Sequence, residues 1–246
     1  MSDQDHREIH RSGASRPEAW RAESFLGRLE PGTRESLLRL GKRCEYPSGQ
    51  MLLQQGEESD HVILIRSGIV KISAGTEEGH TVLLGIRMSG DIVGELAAMD
   101  GAPRSATLLA SGKVVGQRIE RSQFQAFLRS QPDIALLVTR TVGDRLRMAN
   151  RRRVEFGGYS VKVRVARILV ELGRSLGRET RRGMSIDLDL THPELAQITG
   201  AAVVSVQKAL RELRRQGLIT TGYRHVTILD FDGLLAVDRR PGSGQE

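Results

Sequence analysis

Glu95 and Arg104 stand nine residues apart, with Gly94, Pro103 and several small side chains around them. That pair suits a ligand carrying both a hydroxyl and a phosphate. An ionised carboxylate only accepts hydrogen bonds, so Glu95 fits a sugar hydroxyl. A guanidinium presents a planar fork of donors that matches two phosphate oxygens, so Arg104 fits the phosphate, with Ser105 beside it. Gly94 lets the backbone approach a ligand closely. If a short helix begins there, the N–H groups of Glu95, Leu96 and Ala97 form an anion nest.

A second group of residues with a chemical task lies in LTHPELAQITGAAVVSVQKALRELRRQGLI, residues 190–219. Thr191 and Glu194 have the spacing of a capping box, with Pro193 in the first turn. Counted from His192, Ala196, Gly200 and Val206 occupy the fifth, ninth and fifteenth positions. This is helix-turn-helix spacing: a small residue lets two helices approach, a glycine makes the turn, and an apolar residue locks the second helix. That second helix, 203–216, carries Lys208, Arg211, Arg214 and Arg215 against the single Glu212. Residues 218–220 and 225–229 pair as a wing around Thr221-Gly222-Tyr223-Arg224, and Met184, Ile186, Leu188 and Leu190 alternate upstream as strand residues do.

Other elements must hold these two groups in place. Residues 44–120 read as short strands (51–53, 61–66, 69–73, 81–86 and 114–119) separated by glycine turns, which predicts an antiparallel sandwich or barrel. Residues 25–40 predict short helices broken at Pro31-Gly32. A long helix follows over 132–156, with a first-turn proline at Pro132 and Asp133 near the positive end of its dipole. Ala135, Val138, Val142, Leu146 and Ala149 recur three or four apart along it, and Ile134, Leu137, Thr141 and Met148 form a neighbouring stripe. Two stripes ask for two partners: one the chain's own sheet, the other the same helix of a second subunit. Phe156-Gly157-Gly158-Tyr159 then reads as a hinge.

Composition bounds the class. The 246 residues suit one large or two modest domains, and a formal net charge of +7 favours a polyanionic partner. The single cysteine, Cys44, excludes an intramolecular disulfide framework and a cysteine-ligated cluster. Residues 1–22 read as a polar tail whose His6 and His10 are solvated. No apolar h-region or membrane-length apolar run is visible, which implies a cytoplasmic protein with no membrane partner. Nor is there a paired-carboxylate site, a nucleophile motif or metal-ligand spacing such as H-E-x-x-H, so neither an enzyme nor a metal site is expected. His61 and His80 read as structural.

The stretch GELAAMDGAPRSA, residues 94–106, resembles the phosphate-binding cassette of cyclic-nucleotide-binding domains. The order of strands, long helix and winged helix resembles the CRP/FNR family of bacterial transcription regulators over about 25–238. The implied fold class is α+β: an antiparallel β-roll at 23–131, a dimerisation helix at 132–156 and a winged helix-turn-helix domain at 157–246. The resemblance implies that cyclic AMP binds as an allosteric ligand, with Gly94, Glu95, Leu96, Ala97, Arg104 and Ser105 around its ribose and phosphate. The adenine-contacting pair falls on Ala149 and Asn150, of which only Asn150 offers a donor and an acceptor. It further implies a homodimer seamed along Ala135, Val138, Val142, Leu146 and Ala149, with a pseudo-palindromic double-stranded DNA site and RNA polymerase as partners. Family members commonly open the recognition helix with Arg-Glu-Thr after a Ser cap. Here Val203-Val204-Ser205 follow Ala202, so base reading falls to valine methyls on thymine and to Gln207 and Lys208. Phosphate contacts fall to Lys208, Arg211 and Arg224, while Val204 reads equally well as a packing residue. Two alternatives stay open: a ligand-independent regulator of the same fold, and a cyclic-nucleotide sensor acting through protein partners.

Overall fold

A computed structural model describes residues 20–76, 78–222 and 225–239. The expected tail lies mostly outside these residues, but its end belongs to the fold: the indole N–H of Trp20 donates to the carbonyl oxygen of Arg66 at 3.1 Å, and the Arg34 guanidinium sits over its ring. Helix α1 (Pro31–Arg39) opens at the proline where a break was expected, because a first-turn proline loses no helical hydrogen bond. The β-roll comprises β1 (Lys42–Tyr46), β2 (Met51–Leu53), β3 (Val62–Gly75), β4 (Thr81–Met88), β5 (Ile92–Val93) and β6 (Thr107–Ile119), with helix α2 (Glu95–Asp100) between the last two. The strands run in the order β1-β6-β3-β4, with β2 on β6 and β5 on β3, all antiparallel. Two expected strands, 61–66 and 69–73, are one. Gly68, at φ 102°, absorbs a register shift inside β3 instead of turning the chain.

Helix α3 (Arg121–Ser130) leads into α4 (Pro132–Gly158), α5 (Val161–Leu176), β7 (Arg178–Thr180) and β8 (Gly183–Ile186). Then come α6 (His192–Thr199), α7 (Val203–Arg215), the wing strands β9 (Ile219–Gly222) and β10 (His225–Ile228), and α8 (Phe231–Arg239). The expected hinge does not interrupt α4, which runs through both glycines to a cap at Tyr159. No helix among the described residues is long and apolar enough to cross a membrane.

The α4 stripe divides differently from the expectation. Val138 is 0% exposed and packs with Ile134, Phe124 and Ile119 inside the β-roll core. It therefore has no surface left for a second subunit. Ala135 and Val142 are half-buried, Val142 lining a cavity beside the chain's own β-roll, while Leu146 and Ala149 border that cavity and stay exposed. The apolar side chains that α4 leaves to solvent are Leu136, Leu146, Met148, Val154 and Phe156.

The two halves of the chain share a core. Leu83 of β4 is buried among Ile168, Leu169, Leu195 and Ile198, and Ile69 and Ile86 pack against the same cluster. Lys71 reaches Glu194 at 2.7 Å, and the backbone N–H of Leu83 donates to Gln197 Oε1 at 3.0 Å. Helix α6, the first of the helix-turn-helix pair, is thus fixed to the outer strand of the β-roll.

Candidate ligand cavity and DNA-facing helix

Gly94 caps α2 at φ 79°, and Gly101 ends that helix at φ 77°. At Gly94 the glycine is required twice. The left-handed backbone disfavours a side chain, and a Cβ there would lie 2.8 Å from Arg104 Nη1 and 2.9 Å from the His61 carbonyl oxygen. Glu95 follows, 5% exposed. Its Oε1 accepts from Arg145 Nη1 at 2.6 Å, and Arg145 Nη2 donates to the Ile92 carbonyl oxygen at 2.6 Å. Arg145 thus ties the cassette to α4. A charged residue set between Val142 and Ala149 on an otherwise apolar stripe is the sequence signal that marks it. Glu95 Oε2 makes no such bond among the described residues and is left to accept a hydroxyl.

Arg104 is buried and serves the loop as well as the cavity. Its Nε donates to Ser59 Oγ at 2.9 Å, Nη1 to the Gly94 carbonyl oxygen at 2.9 Å, and Nη2 to the His61 carbonyl oxygen at 2.7 Å, with His61 Nδ1 at 3.4 Å. Burial lowers its pKa from the ordinary arginine value. His61 is lowered to about 4, first by burial and then by the positive charges of Arg118 and Arg104. His61 therefore stays neutral in the fold, while an unfolded chain protonates it near 6.5. The stability it contributes is complete above pH 6.5 and is lost as the pH falls from 6.5 to about 4. Urea titrations across that window are expected to show stability falling with acid, and His61→Gln should flatten that part of the profile. An unchanged profile in the variant would contradict the assignment.

A cavity of about 770 Å³ opens beside the cassette, lined by Gly94, Glu95, Leu96, Ala97, Arg104 and Ser105 from the β-roll. Its other walls are β4 (Leu84, Gly85, Arg87), α4 (Val142, Arg145, Ala149, Arg152) and α6 (Gln197, Ile198). The cassette residues singled out in the sequence therefore converge. Asn150 does not join them: it is exposed and off the cavity wall. Sequence reasoning missed Arg87, Arg145 and Arg152, which reach this cavity only through pairing across the fold.

The helix-turn-helix is built as its spacing implies. Thr191 and Glu194 form the capping box, and Gly200 makes the turn at φ 59°. The buried Arg164 donates to the carbonyl oxygens of Thr199 and Gly200 at 2.7 and 3.1 Å, neutralising the end of α6. On α7, Val206, Ala209, Leu210 and Leu213 are buried. The opposite face presents Val203, Val204, Lys208, Arg211, Arg214 and Arg215 to solvent, with Ser205 and Gln207 half-buried. Val204 is 71% exposed, so the packing alternative for it falls away. The wing strands pair from Ile219↔Ile228 to Gly222↔His225. Arg224, expected to contact phosphates, lies outside the described residues.

Comparison with known proteins agrees with both halves. Residues 43–131 match the cyclic nucleotide-binding domain and 163–237 the Crp-like helix-turn-helix domain. The chain is 29% identical over 214 residues to a CRP-like cAMP-activated global transcriptional regulator of Mycobacterium tuberculosis, covering 87% of this chain and 95% of that one. It is 27% identical over 186 residues to the cAMP-activated global transcriptional regulator CRP of Salmonella typhimurium, covering 75% and 88%. Among solved structures, a CRP/FNR-family transcriptional regulator from Thermus thermophilus superposes with a TM-score of 0.68 at 25% identity, covering 82% of this chain and all of the other.

Proposed function

Because this chain belongs to the CRP/FNR family of transcription regulators, we propose that it is a dimeric DNA-binding regulator whose hold on DNA is set by a cyclic nucleotide in the cavity beside Glu95. Cyclic AMP is the ligand carried in the names of its relatives. The observation that carries the reading is the shared wall: Gln197 and Ile198, on the first helix of the DNA-binding pair, line the same cavity as Glu95, Arg104 and Ser105. A ligand filling that space acts directly on the helix that supports α7. In this reading Glu95 Oε2 accepts the ribose hydroxyl. Arg104 and Ser105 hold the cyclic phosphate, and the nest at Glu95, Leu96 and Ala97 adds backbone donors. The regulator works in the cytoplasm, contacts RNA polymerase and carries out no catalysis.

A two-fold dimer reads a pseudo-palindrome whose half-sites lie about one helical turn, roughly 10 bp, apart. Selection from a random DNA pool, run with cyclic AMP and with cyclic GMP, is expected to return such sites. Isolated half-sites or no enrichment with either nucleotide would overturn the proposal. Lys208 and Arg211 are exposed on α7 and are assigned to phosphates, whereas Gln207 and the Val203–Val204 methyls are assigned to base edges. Lys208→Ala with Arg211→Ala should weaken binding across all sequences. If each of the two side chains neutralises one phosphate per half-site, the salt slope of log K should become shallower by roughly 0.9 for every phosphate no longer neutralised. A sequence-selective loss with an unchanged slope would instead place these residues on the bases.

A further inference from the structure

Assigning the cavity to a cyclic nucleotide leaves one strongly polar group on its wall without a task. Arg87 of β4 lines the cavity and forms no ion pair among the described residues. Its Nη1 donates to the Ile86 carbonyl oxygen at 2.9 Å, while its Nε is buried with no hydrogen-bond partner. A Cβ at Gly85 would lie 3.3 Å from Arg87 Nη1 and 3.9 Å from Arg152 Nη1, so the two guanidinium groups lie close together over that glycine. Its charged neighbours are Arg145 and Arg152 on one side of the balance and Asp91 and Glu95 on the other, and a buried Nε with no acceptor marks a group with donor capacity left for something absent from the free protein.

The cavity also sets which part of the ligand Arg87 meets. With the phosphate at Arg104 and Ser105 and the ribose at Glu95, the remaining space is bounded by Leu84, Gly85, Arg87, Met148, Ala149 and Arg152, and the base must enter it. Arg87 and Arg152 bring donors to that end. Arg152 donates to the Leu84 carbonyl oxygen and to Met148 Sδ, and Gln197 Oε1 accepts from the Leu83 N–H. Along the edge that carries N7, adenine presents one acceptor and one amino donor, whereas guanine presents N7 and O6, two adjacent acceptors that fit one edge of a guanidinium, with its N1–H and amino donors on its other edges.

We infer that Arg87 is a specificity-determining residue of this cavity, donating through its open Nε–Nη2 edge to N7 and O6 of guanine, so that cyclic GMP binds in preference to cyclic AMP. The inference rests on the cyclic-nucleotide reading above. It is tested by calorimetry on the full chain with cyclic GMP, cyclic AMP and 7-deaza-cyclic GMP, in which the N7 acceptor is replaced by C–H. The wild type should bind cyclic GMP roughly tenfold or more tightly than both other ligands. Arg87→Met should bring all three to one affinity. Cyclic AMP binding as tightly as cyclic GMP, or 7-deaza-cyclic GMP binding as tightly as its parent, would overturn the role of Arg87 while leaving the cyclic-nucleotide reading intact, and neither result needs a variant to fold. Failure of every nucleotide to bind the wild type at millimolar concentration would remove that reading and this inference together.

Discussion

Arg104→Leu is expected to weaken ligand binding at least tenfold and to destabilise the β-roll. Arg104 is 4% exposed, and its guanidinium donates to Ser59 Oγ and to the carbonyl oxygens of Gly94 and His61. Leucine would leave those acceptors buried without a donor. Each unmet group costs about 1–3 kcal/mol, and removing a charge-assisted hydrogen bond to a phosphate costs a similar amount. The three unmet acceptors place the variant among the severe class of single substitutions, above about 4 kcal/mol, and the lost phosphate contact reduces nucleotide affinity by about one to two decades. Denaturant unfolding and calorimetry read the two effects separately. Arg104→Lys keeps the charge but not the fork, and should retain part of the stability while still binding weakly. Full nucleotide affinity in Arg104→Leu would exclude this residue from the phosphate.

Leu136→Glu combined with Val154→Glu is expected to yield a monomer that binds DNA at least a hundredfold more weakly. Leu136 is 57% and Val154 71% exposed on α4, eighteen residues and five turns apart on one face of the helix. Gly143 lies between them on that face, where a missing side chain lets a second helix approach. A two-fold seam along that face would bring the new carboxylates into a desolvated contact. Neither residue lines the ligand cavity. Loss of the dimer removes the gain from two linked half-sites, worth about 10²–10⁴ in affinity. Light scattering and DNA titration check both outcomes, and a dimeric variant with unchanged DNA affinity would move the seam elsewhere.

Much of this molecule is legible in its sequence because some signals are local. A left-handed glycine before Glu95, a capping box at Thr191 and Glu194, and a glycine turn at Gly200 are each fixed by residues within a few positions, and all are present in the fold. Periodicity says less. The stripe through Val138 is real, but a stripe does not name its partner, and Val138 turned to the β-roll core instead of a second subunit. Ser67-Gly68 carries turn residues yet lies inside β3, because the ladder to β6 resumes on the far side of the bulge. Pairings across fifty or more residues are the least legible. Arg145 on Glu95, and α6 on β4 through Lys71 and Glu194, arise only when the chain has folded.

If occupancy of the cavity beside Glu95 sets the affinity of α7 for DNA, fluorescence anisotropy of a labelled operator from the selected pool, titrated with the full chain at fixed salt, will differ between no nucleotide, cyclic AMP and cyclic GMP. At least one nucleotide is expected to change DNA affinity tenfold or more, and Glu95→Ala to remove that nucleotide-dependent change. Identical DNA affinity with and without saturating nucleotide would contradict this control by the cavity and leave a regulator of this fold that needs no ligand.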